Sequence, residues 1–198
     1  MQDAEIGSLV KAAADGDKDA WRALVGQFSG LVWSITRAYR LGDADAADVC
    51  QTAWLRLAEN IHRLNHPERV GAWLATATRR ECLRNIRVSA RTVPAEDMTW
   101  FDVPDDDNPT EEAVLAAERE REAAQRGKAL RRALGQLSAR CRQLLRVLMA
   151  SPPPSYTDVA AALDMPVGSI GPTRARCLDR LRNELATGIK DGPTPSYE

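Results

Sequence analysis

The sequence predicts an all-α protein of two small helical domains joined by an acidic linker. Apolar residues recur at the helical spacing i, i+3, i+4, i+7 through most of the 198 residues, and no segment alternates between apolar and polar over a strand's length. Between residues 92 and 127 an acidic stretch with three prolines interrupts this pattern. A chain of this length can form two domains that each bury a modest core.

Two helices are predicted before residue 42. The first ends before Gly16, and the second begins behind Asp17, whose side chain suits an N-cap. The apolar positions of the first are Ile6, Leu9, Val10 and Ala13, and those of the second are Trp21, Leu24, Val25, Phe28, Leu31, Val32, Ile35 and Tyr39. Together they are expected to form a two-helix core.

The third helix, at about residues 45–64, has an apolar face and a mixed face. The apolar face consists of Val49, Ala53, Leu57 and Ile61. The opposite face carries Asp48, Gln51, Thr52, Leu55 and Glu59. A polar strip with an exposed leucine is typical of a surface against which a partner protein docks. The alternative is a solvated face that happens to carry one leucine.

The fourth helix, at about residues 67–91, combines a buried side with a basic one. Trp73, Leu74, Ala77, Thr78, Cys82 and Ile86 are expected to face inwards. Arg80, Arg84, Arg87 and Arg91 stand at i, i+4, i+7, i+11, and with Arg79 they give residues 79–91 a net charge of +4 against Glu81 alone. Because no acidic residue is interleaved on that face, the stripe predicts contact with phosphate rather than a merely solvated surface.

The linker at residues 92–127 is strongly acidic. Residues 92–122 hold eleven acidic side chains against two arginines, a net charge of −9. Thr110 is expected to cap a helix rich in Glu and Ala that ends near Arg126, so the linker is predicted to be helical at its end. A new helix is then predicted from Leu130, Ala133, Leu134 and Leu137, and Ser138 is expected to cap the next, with Cys141, Leu144, Leu145 and Leu148 inside.

Residues 155–185 are typical of a helix-turn-helix. Ser155 and Asp158 form a capping box in front of an apolar face made by Tyr156, Val159, Ala160 and Leu163. The pattern breaks at residues 164–168. A second helix is predicted with Ser169 as its N-cap and with Ile170, Cys177, Leu178, Leu181 and Leu185 on its buried side. Pro172 would then occupy the third helical position, where its missing N–H does little harm.

The exposed side of that second helix carries Thr173, Arg176 and Arg180. Short polar and arginine side chains near the start of such a helix suit a DNA major groove, where arginine can pair bidentately with guanine. Two amphipathic helices in an ordinary all-α core are the alternative. The net charge of −1 hides this basic segment, since residues 128–185 alone hold ten cations against four acids, a net charge of +6.

Several other classes of protein are not indicated. The four cysteines are scattered without a C-x-x-C pair, so buried free thiols in a reducing cytoplasm are expected. His62 and His66 are four residues apart but lie at a helix end without further ligands, so no metal site is expected. No nucleophile and base pair, phosphate-binding loop or cofactor motif stands out, which predicts neither an enzyme nor a small-molecule substrate. No signal peptide or membrane-length apolar run is recognised.

The order of motifs resembles the extracytoplasmic-function group of bacterial RNA polymerase sigma factors, over roughly residues 10–186. Residues 16–21 (Gly-Asp-x-x-Ala-Trp) resemble the start of region 2, residues 45–55 its acidic polymerase-clamp helix, and residues 72–80 the segment leading into the helix that opens and reads the −10 element. Residues 133–137, Arg140, Leu144, Val159, Ala160 and residues 166–170 look like region 4, which reads the −35 element. Gly171-Pro172-Thr173 and Thr78-Arg79-Arg80-Glu81 depart from the usual pattern.

The resemblance implies a division of labour along the chain. A region 2-like helical bundle at residues 1–91 would bind core polymerase and the −10 element, and a region 4-like helix-turn-helix domain at residues 128–186 would bind the −35 element, ahead of a flexible tail at 187–198. Its implied sites are Asp48, Gln51, Thr52, Leu55 and Glu59 for polymerase, Arg79, Arg80, Arg84, Arg87 and Arg91 for the −10 region, and Ser169, Thr173, Arg174, Arg176 and Arg180 for the −35 region.

The expected partners are therefore core RNA polymerase, promoter DNA and an anti-sigma factor, in the cytoplasm and without a cofactor. An ordinary helix-turn-helix regulator with a helical N-terminal interaction domain is the main alternative. A helical adaptor that never touches DNA is a third, which the arginine stripe of the fourth helix disfavours.

Overall fold

The computed structural model describes residues 3–89 and 112–190, and within these ranges every regular element is a helix. The α-helices are α1 (Asp3–Ala14), α2 (Lys18–Ala38), α3 (Asp43–Asn60), α4 (Val70–Ser89), α5 (Glu112–Gln136), α6 (Ala139–Leu148), α7 (Tyr156–Leu163) and α8 (Val167–Lys190). Short 3₁₀ turns at Ile61–Arg63 and Pro67–Arg69 join α3 to α4. The all-α prediction is confirmed. Arg91, most of the linker and residues 191–198 lie outside the described residues.

The chain forms two compact units, each made of two separate segments. The first comprises residues 1–95 and 139–174, and the second residues 96–138 and 175–198. Helices α6 and α7 thus belong to the same unit as α1–α4. The sequence predicted functional domains at residues 1–91 and 128–186 from the order of motifs. That division concerns function and not packing, so it stays a prediction.

Helix α2 contributes seven buried apolar residues to the core of the first unit. Asp17 caps it as predicted, accepting hydrogen bonds from the N–H groups of Asp19 at 2.8 Å and Ala20 at 3.1 Å. Its buried apolar residues are Ala20, Leu24, Phe28, Leu31, Val32, Ile35 and Ala38. They pack against α1, α3, α4 and α6. The indoles of Trp21 on α2 and Trp54 on α3 meet edge to face with centroids 6.2 Å apart.

The helix-turn-helix begins as the sequence predicts. The Ser155 hydroxyl accepts from the Asp158 N–H and the Asp158 carboxylate accepts from the Ser155 N–H, both at 3.1 Å, which completes the capping box. Val159, Ala160 and Leu163 are buried. Asp164 ends α7 in the left-handed region, with φ of 55°, a conformation that aspartate tolerates better than most residues.

The N-cap predicted for the second helix of this motif is wrong. Helix α8 begins at Val167, and the Ser169 hydroxyl donates to the Pro166 carbonyl at 2.7 Å instead of accepting from Gly171. Pro172 consequently occupies the sixth helical position and not the third, so its missing N–H removes one i→i−4 hydrogen bond within the helix.

Two other predictions on helices are corrected. Helix α5 runs without a break through Gly127 and Leu130, because a single glycine weakens a helix without ending it. Ile86, expected inside, is 36% exposed. It lies in the last turn and a half of α4, where Arg87 and Val88 are exposed too.

The cysteines do not all match the expected free thiols. Cys50 and Cys82 are free, whereas Cys141 and Cys177 are disulfide-bonded. The cysteines are far apart in the sequence, which suggested four reduced thiols. Separation in the sequence, however, does not determine the distance between two sulfur atoms in the fold. Burial raises the pKa of the Cys82 thiol to about 12, so this thiol is almost entirely protonated at neutral pH.

Thiol titration checks this assignment. In denaturant without reductant, two thiols per chain are expected to react, corresponding to the two free cysteines, and after reduction all four cysteines of the sequence should react. Cys82 should resist alkylation in the native protein because it is buried and lacks a thiolate. Four reactive thiols before reduction would contradict the disulfide.

Candidate nucleic-acid and partner interfaces

The mixed strip on α3 faces solvent. Asp48, Gln51, Leu55 and Glu59 are exposed and Thr52 is half-buried, and their spacing places all five on one side of the helix. Leu55 is 58% exposed. The opposite side, with Ala46, Val49, Ala53 and Leu57, is buried. The rotation of this helix agrees with the sequence prediction.

The arginines of α4 do not form one uniform stripe. Arg80, Arg84 and Arg87 are exposed, and Arg91 lies outside the described residues. The Arg79 side chain is only 22% exposed, and its Nη2 lies 2.6 Å from Asp164 Oδ2 in the turn between α7 and α8. Arg79 is therefore already engaged by a carboxylate of the same chain.

Glu81, the one acidic residue among residues 79–91, pairs with an arginine of the stripe and with one of α3. Glu81 lies 3.6 Å from Arg84 Nη1 through Oε2 and 2.7 Å from Arg56 Nη2 on α3 through Oε1. Its side chain is only 10% exposed. The pair of Glu81 and Arg84 could have been predicted from the sequence, because residues three apart on a helix are neighbours. The pair with Arg56 could not, because it depends on how α3 packs against α4.

The ion pair between Glu81 and Arg56 joins α3 to α4 and orients one basic side chain of α4. A second polar contact joins the same helices, from Asn85 Nδ2 to Asp45 Oδ1 at 3.2 Å. Because α3 carries the exposed strip and α4 the arginines, these contacts fix the two candidate surfaces relative to each other.

The exposed end of α4 mixes charge with apolar surface. Ile86 and Val88, the latter 62% exposed, flank Arg87 and follow Arg84. Cationic side chains that attract a phosphate backbone, together with apolar groups that contact bases, are the ingredients of single-strand nucleic-acid binding surfaces. The sequence prediction included the arginines and missed the two apolar residues.

The first turns of α8 present one polar face. At 100° per residue, Ser169, Thr173, Arg176 and Arg180 lie on one side of the helix, and Arg174 lies away from them, nearer the direction of the buried Ile170 and Cys177. Arg174, Arg176 and Arg180 are exposed, and Ser169 and Thr173 are half-buried. Four of the five predicted residues are thus brought together.

The turn before α8 is held by an arginine of α6. Arg140 Nη1 donates to the Leu163 carbonyl at 3.0 Å and Nη2 to the Asp164 carbonyl at 3.4 Å. These carbonyls end α7, where the helix dipole favours a cation. The geometry of the helix-turn-helix is therefore fixed within the first unit by α6.

Metal-ligating side chains do not cluster in residues 3–89 and 112–190. That part of the chain contains no group of three or more His, Cys, Asp and Glu side chains able to hold a metal ion. His66 instead lies 3.1 Å from Glu68 through Nδ1. No helix among the described residues is long and apolar enough to cross a membrane.

Comparison with known proteins identifies the N-terminal part of the chain. Residues 24–92 match the family model of sigma-70 region 2, a segment that includes the α3 strip and the α4 arginines. The structure of CnrH in complex with the cytosolic domain of CnrY has the same fold, with a TM-score of 0.53 and 20% sequence identity over 95% of this chain and 99% of that one. No curated protein matches.

The ion pair of Glu81 offers a test of how α3 and α4 are joined. Glu81→Gln should destabilise the protein by about 1–3 kcal/mol, because it leaves Arg56 without its charged partner beside a buried amide. The matched control is Asp19→Asn, which removes the fully surface-exposed pair with Arg22 and should cost about 1 kcal/mol or less. Urea denaturation of both variants compares them, and equal losses would rule out this role for Glu81.

Proposed function

We propose that this protein, whose residues 24–92 match the family model of sigma-70 region 2, is a sigma factor that directs core RNA polymerase to specific promoters and opens the DNA there. The order of motifs further suggests the extracytoplasmic-function group. The observation that carries the proposal is the combination, within the matched region, of an exposed strip on α3 and a basic surface on α4. A plain DNA-binding protein has no need of the first.

The α3 strip is the proposed polymerase contact. Its five side chains are Asp48, Gln51, Thr52, Leu55 and Glu59. An exposed leucine ringed by polar groups fits the usual arrangement of a protein interface, with an apolar centre and a hydrated rim. Its acidic residues favour a partner surface that is basic.

The second half of α4 is the proposed −10 surface, with Arg79, Arg80, Arg84 and Arg87 contributing charge, and Arg91, outside the described residues, is expected to add to it. Phosphate neutralisation by these arginines would supply affinity that falls with salt. Ile86 and Val88 would contact bases once the strands separate, because unstacked bases expose apolar faces that a duplex hides.

The start of α8 is the proposed −35 surface. Thr173 and Arg176 lie near the beginning of the helix, where side chains of a recognition helix reach base edges. Arg180 lies one turn further along and is assigned to phosphate. Ser169 completes this face, and Arg174 is assigned to the flanking backbone because it lies off the face.

The catalysis in this proposal belongs to the polymerase, and the chain acts as its dissociable specificity subunit. The proposed setting is the cytoplasm, where polymerase and promoter DNA are found. An anti-sigma factor is a proposed further partner, supported by the structural neighbour CnrH, which was solved with the cytosolic domain of CnrY.

Run-off transcription tests the function. The purified chain with core polymerase should initiate from a subset of genomic fragments, and core polymerase alone should not. Promoter binding by the isolated chain, with no effect of polymerase and no transcripts, would instead indicate a helix-turn-helix regulator.

The polymerase contact can be tested at Leu55. Leu55→Arg should abolish co-purification with core polymerase and leave the melting temperature nearly unchanged, since the side chain is exposed. Ala23→Arg is the matched control, because Ala23 is exposed on a different helix, α2. Loss of binding in both variants, or unfolding of Leu55→Arg, would contradict the assignment.

The recognition helix can be tested by comparing two arginines. Arg176→Ala should cost about 1–3 kcal/mol and relax preference at one or two positions of the −35 element, whereas Arg180→Ala should weaken all promoters alike and reduce the salt slope by about one. Transcription from a randomised −35 library measures both effects. An unchanged base preference in Arg176→Ala would refute its role in base reading.

A further inference from the structure

Glu81 lies at the edge of the arginine stripe of α4, on the side that meets α3. At 100° per residue it is about 60° around the helix from Arg84 and about 120° from Arg87. Its side chain is only 10% exposed. The carboxylate is therefore too enclosed to bind nucleic acid itself, and any effect it has on DNA must act through a neighbouring arginine.

The two oxygens of the Glu81 carboxylate serve two arginines unequally. Oε1 lies 2.7 Å from Arg56 Nη2, which is the length of a charge-assisted hydrogen bond. Oε2 lies 3.6 Å from Arg84 Nη1, beyond hydrogen-bond length but within reach of Coulomb attraction. The Arg84 side chain is 72% exposed. Arg84 thus extends into solvent with part of its charge offset by a carboxylate behind it.

We propose that Glu81 is a positioning residue that lowers the sequence-independent affinity of the proposed −10 surface, and that Arg56 sets how far it does so. The inference rests on the proposed function. Phosphate contacts bind every sequence alike, whereas base contacts, such as those proposed for Ile86 and Val88, distinguish sequences. A carboxylate that offsets part of one cation reduces the first kind of affinity and leaves the second. The ratio of specific to non-specific binding rises as a result.

Arg56 and Arg84 compete for the same carboxylate. While Arg56 is bound to Oε1, only the more distant oxygen attracts Arg84. Loss of the Arg56 charge would leave more of that attraction to Arg84 and would draw it away from phosphate. A purely structural ion pair predicts that losing either partner changes DNA binding in the same direction. Competition predicts opposite directions for the two losses.

Variants of Glu81 and Arg56 in the full-length protein test this competition. Glu81→Gln makes one further cation fully available to phosphate. Binding to single-stranded oligothymidylate should therefore strengthen by up to about fivefold at about 0.1 M salt, and the slope of log affinity against log salt concentration should steepen by up to about 0.7. Arg56→Gln should weaken binding and make the slope shallower. Fluorescence anisotropy over a salt titration measures both quantities.

Asp19→Asn is the matched control. It changes the net charge of the protein as much as Glu81→Gln does, and it also removes a carboxylate three residues away from an arginine, since Asp19 pairs with Arg22 on α2. Arg22 is not part of the proposed −10 surface, so the salt slope should stay at its native value. A steepening equal to that of Glu81→Gln would show that total charge sets the affinity, and would overturn the role of Glu81.

A double variant decides the matter if either single variant loses helix content by circular dichroism. Glu81→Gln combined with Arg56→Gln removes both charges together, so neither is left without its partner, and the net charge of the protein is unchanged. Its slope should still be steeper than the native one, because Arg56 acts through Glu81. A native slope in the double variant, or equal weakening by Arg56→Gln with and without Glu81, would contradict the competition.

Transcription with core polymerase separates the role of Glu81 from the proposed function. Glu81→Gln should initiate at the same promoters as the native protein and be inhibited by up to about fivefold less oligothymidylate, in parallel with its gain in binding. If the native protein directs no transcription, the proposed function fails and the salt slopes still decide the role of Glu81. If promoters are transcribed but no variant changes the slope, Glu81 only joins α3 to α4, and its role at the DNA surface is overturned.

Discussion

The packing of the first unit depends on the burial of α4. This helix is largely buried in its first turns and exposed near its C-terminal end. Its first three turns contact α2, α3 and α7 and bury Leu74, Ala75, Ala77 and Thr78. Small alanines on two sides allow neighbouring helices to approach closely, and the buried Thr78 hydroxyl is satisfied by donating to the Leu74 carbonyl at 2.8 Å. In the last turns Arg84, Ile86, Arg87 and Val88 are exposed, and these side chains belong to the proposed −10 surface.

Segregation of charge along the chain explains how a net charge of −1 can go with basic surfaces, since residues 92–122 alone carry −9. Ion pairs then engage part of the basic charge. Glu81 balances Arg56 and Arg84, and Asp164 balances Arg79. Burial, and secondarily the charge of Arg37, lowers the pKa of Arg146 to about 10, which still leaves this guanidinium protonated at neutral pH. The ion pairs of Glu81 and Asp164 thus orient Arg56, Arg79 and Arg84 within the first unit.

The sequence was sufficient for those features that local patterns determine. Periodicity and caps predicted the all-α class, the rotation of α3 and the capping box of α7. Motif order predicted a resemblance to sigma factors, and the match of residues 24–92 to sigma-70 region 2 confirms its N-terminal part. Long-range contacts carry no such pattern. The partners of Glu81 and Arg79, the disulfide-bonded state of Cys141 and the exposure of Ile86 depend on which helices meet. Periodicity within one helix cannot determine this.

The sequence correctly predicted a helix that contains Pro172, but it placed the start of that helix, α8, three residues too late. Proline inside a helix disfavours a helical conformation in the residue before it, because its Cδ clashes with that residue's Cβ. At position 171 this Cβ is missing, and the nearest atom a Cβ would meet is Tyr156 Cε2 at 4.0 Å. Packing therefore does not demand glycine there. The neighbouring Pro172 favours it instead, and α8 continues from Val167 through both residues. The Gly-Pro departure from the family pattern thus changes which side chains are available at two positions and leaves the direction of Thr173, Arg176 and Arg180 to ordinary helical geometry.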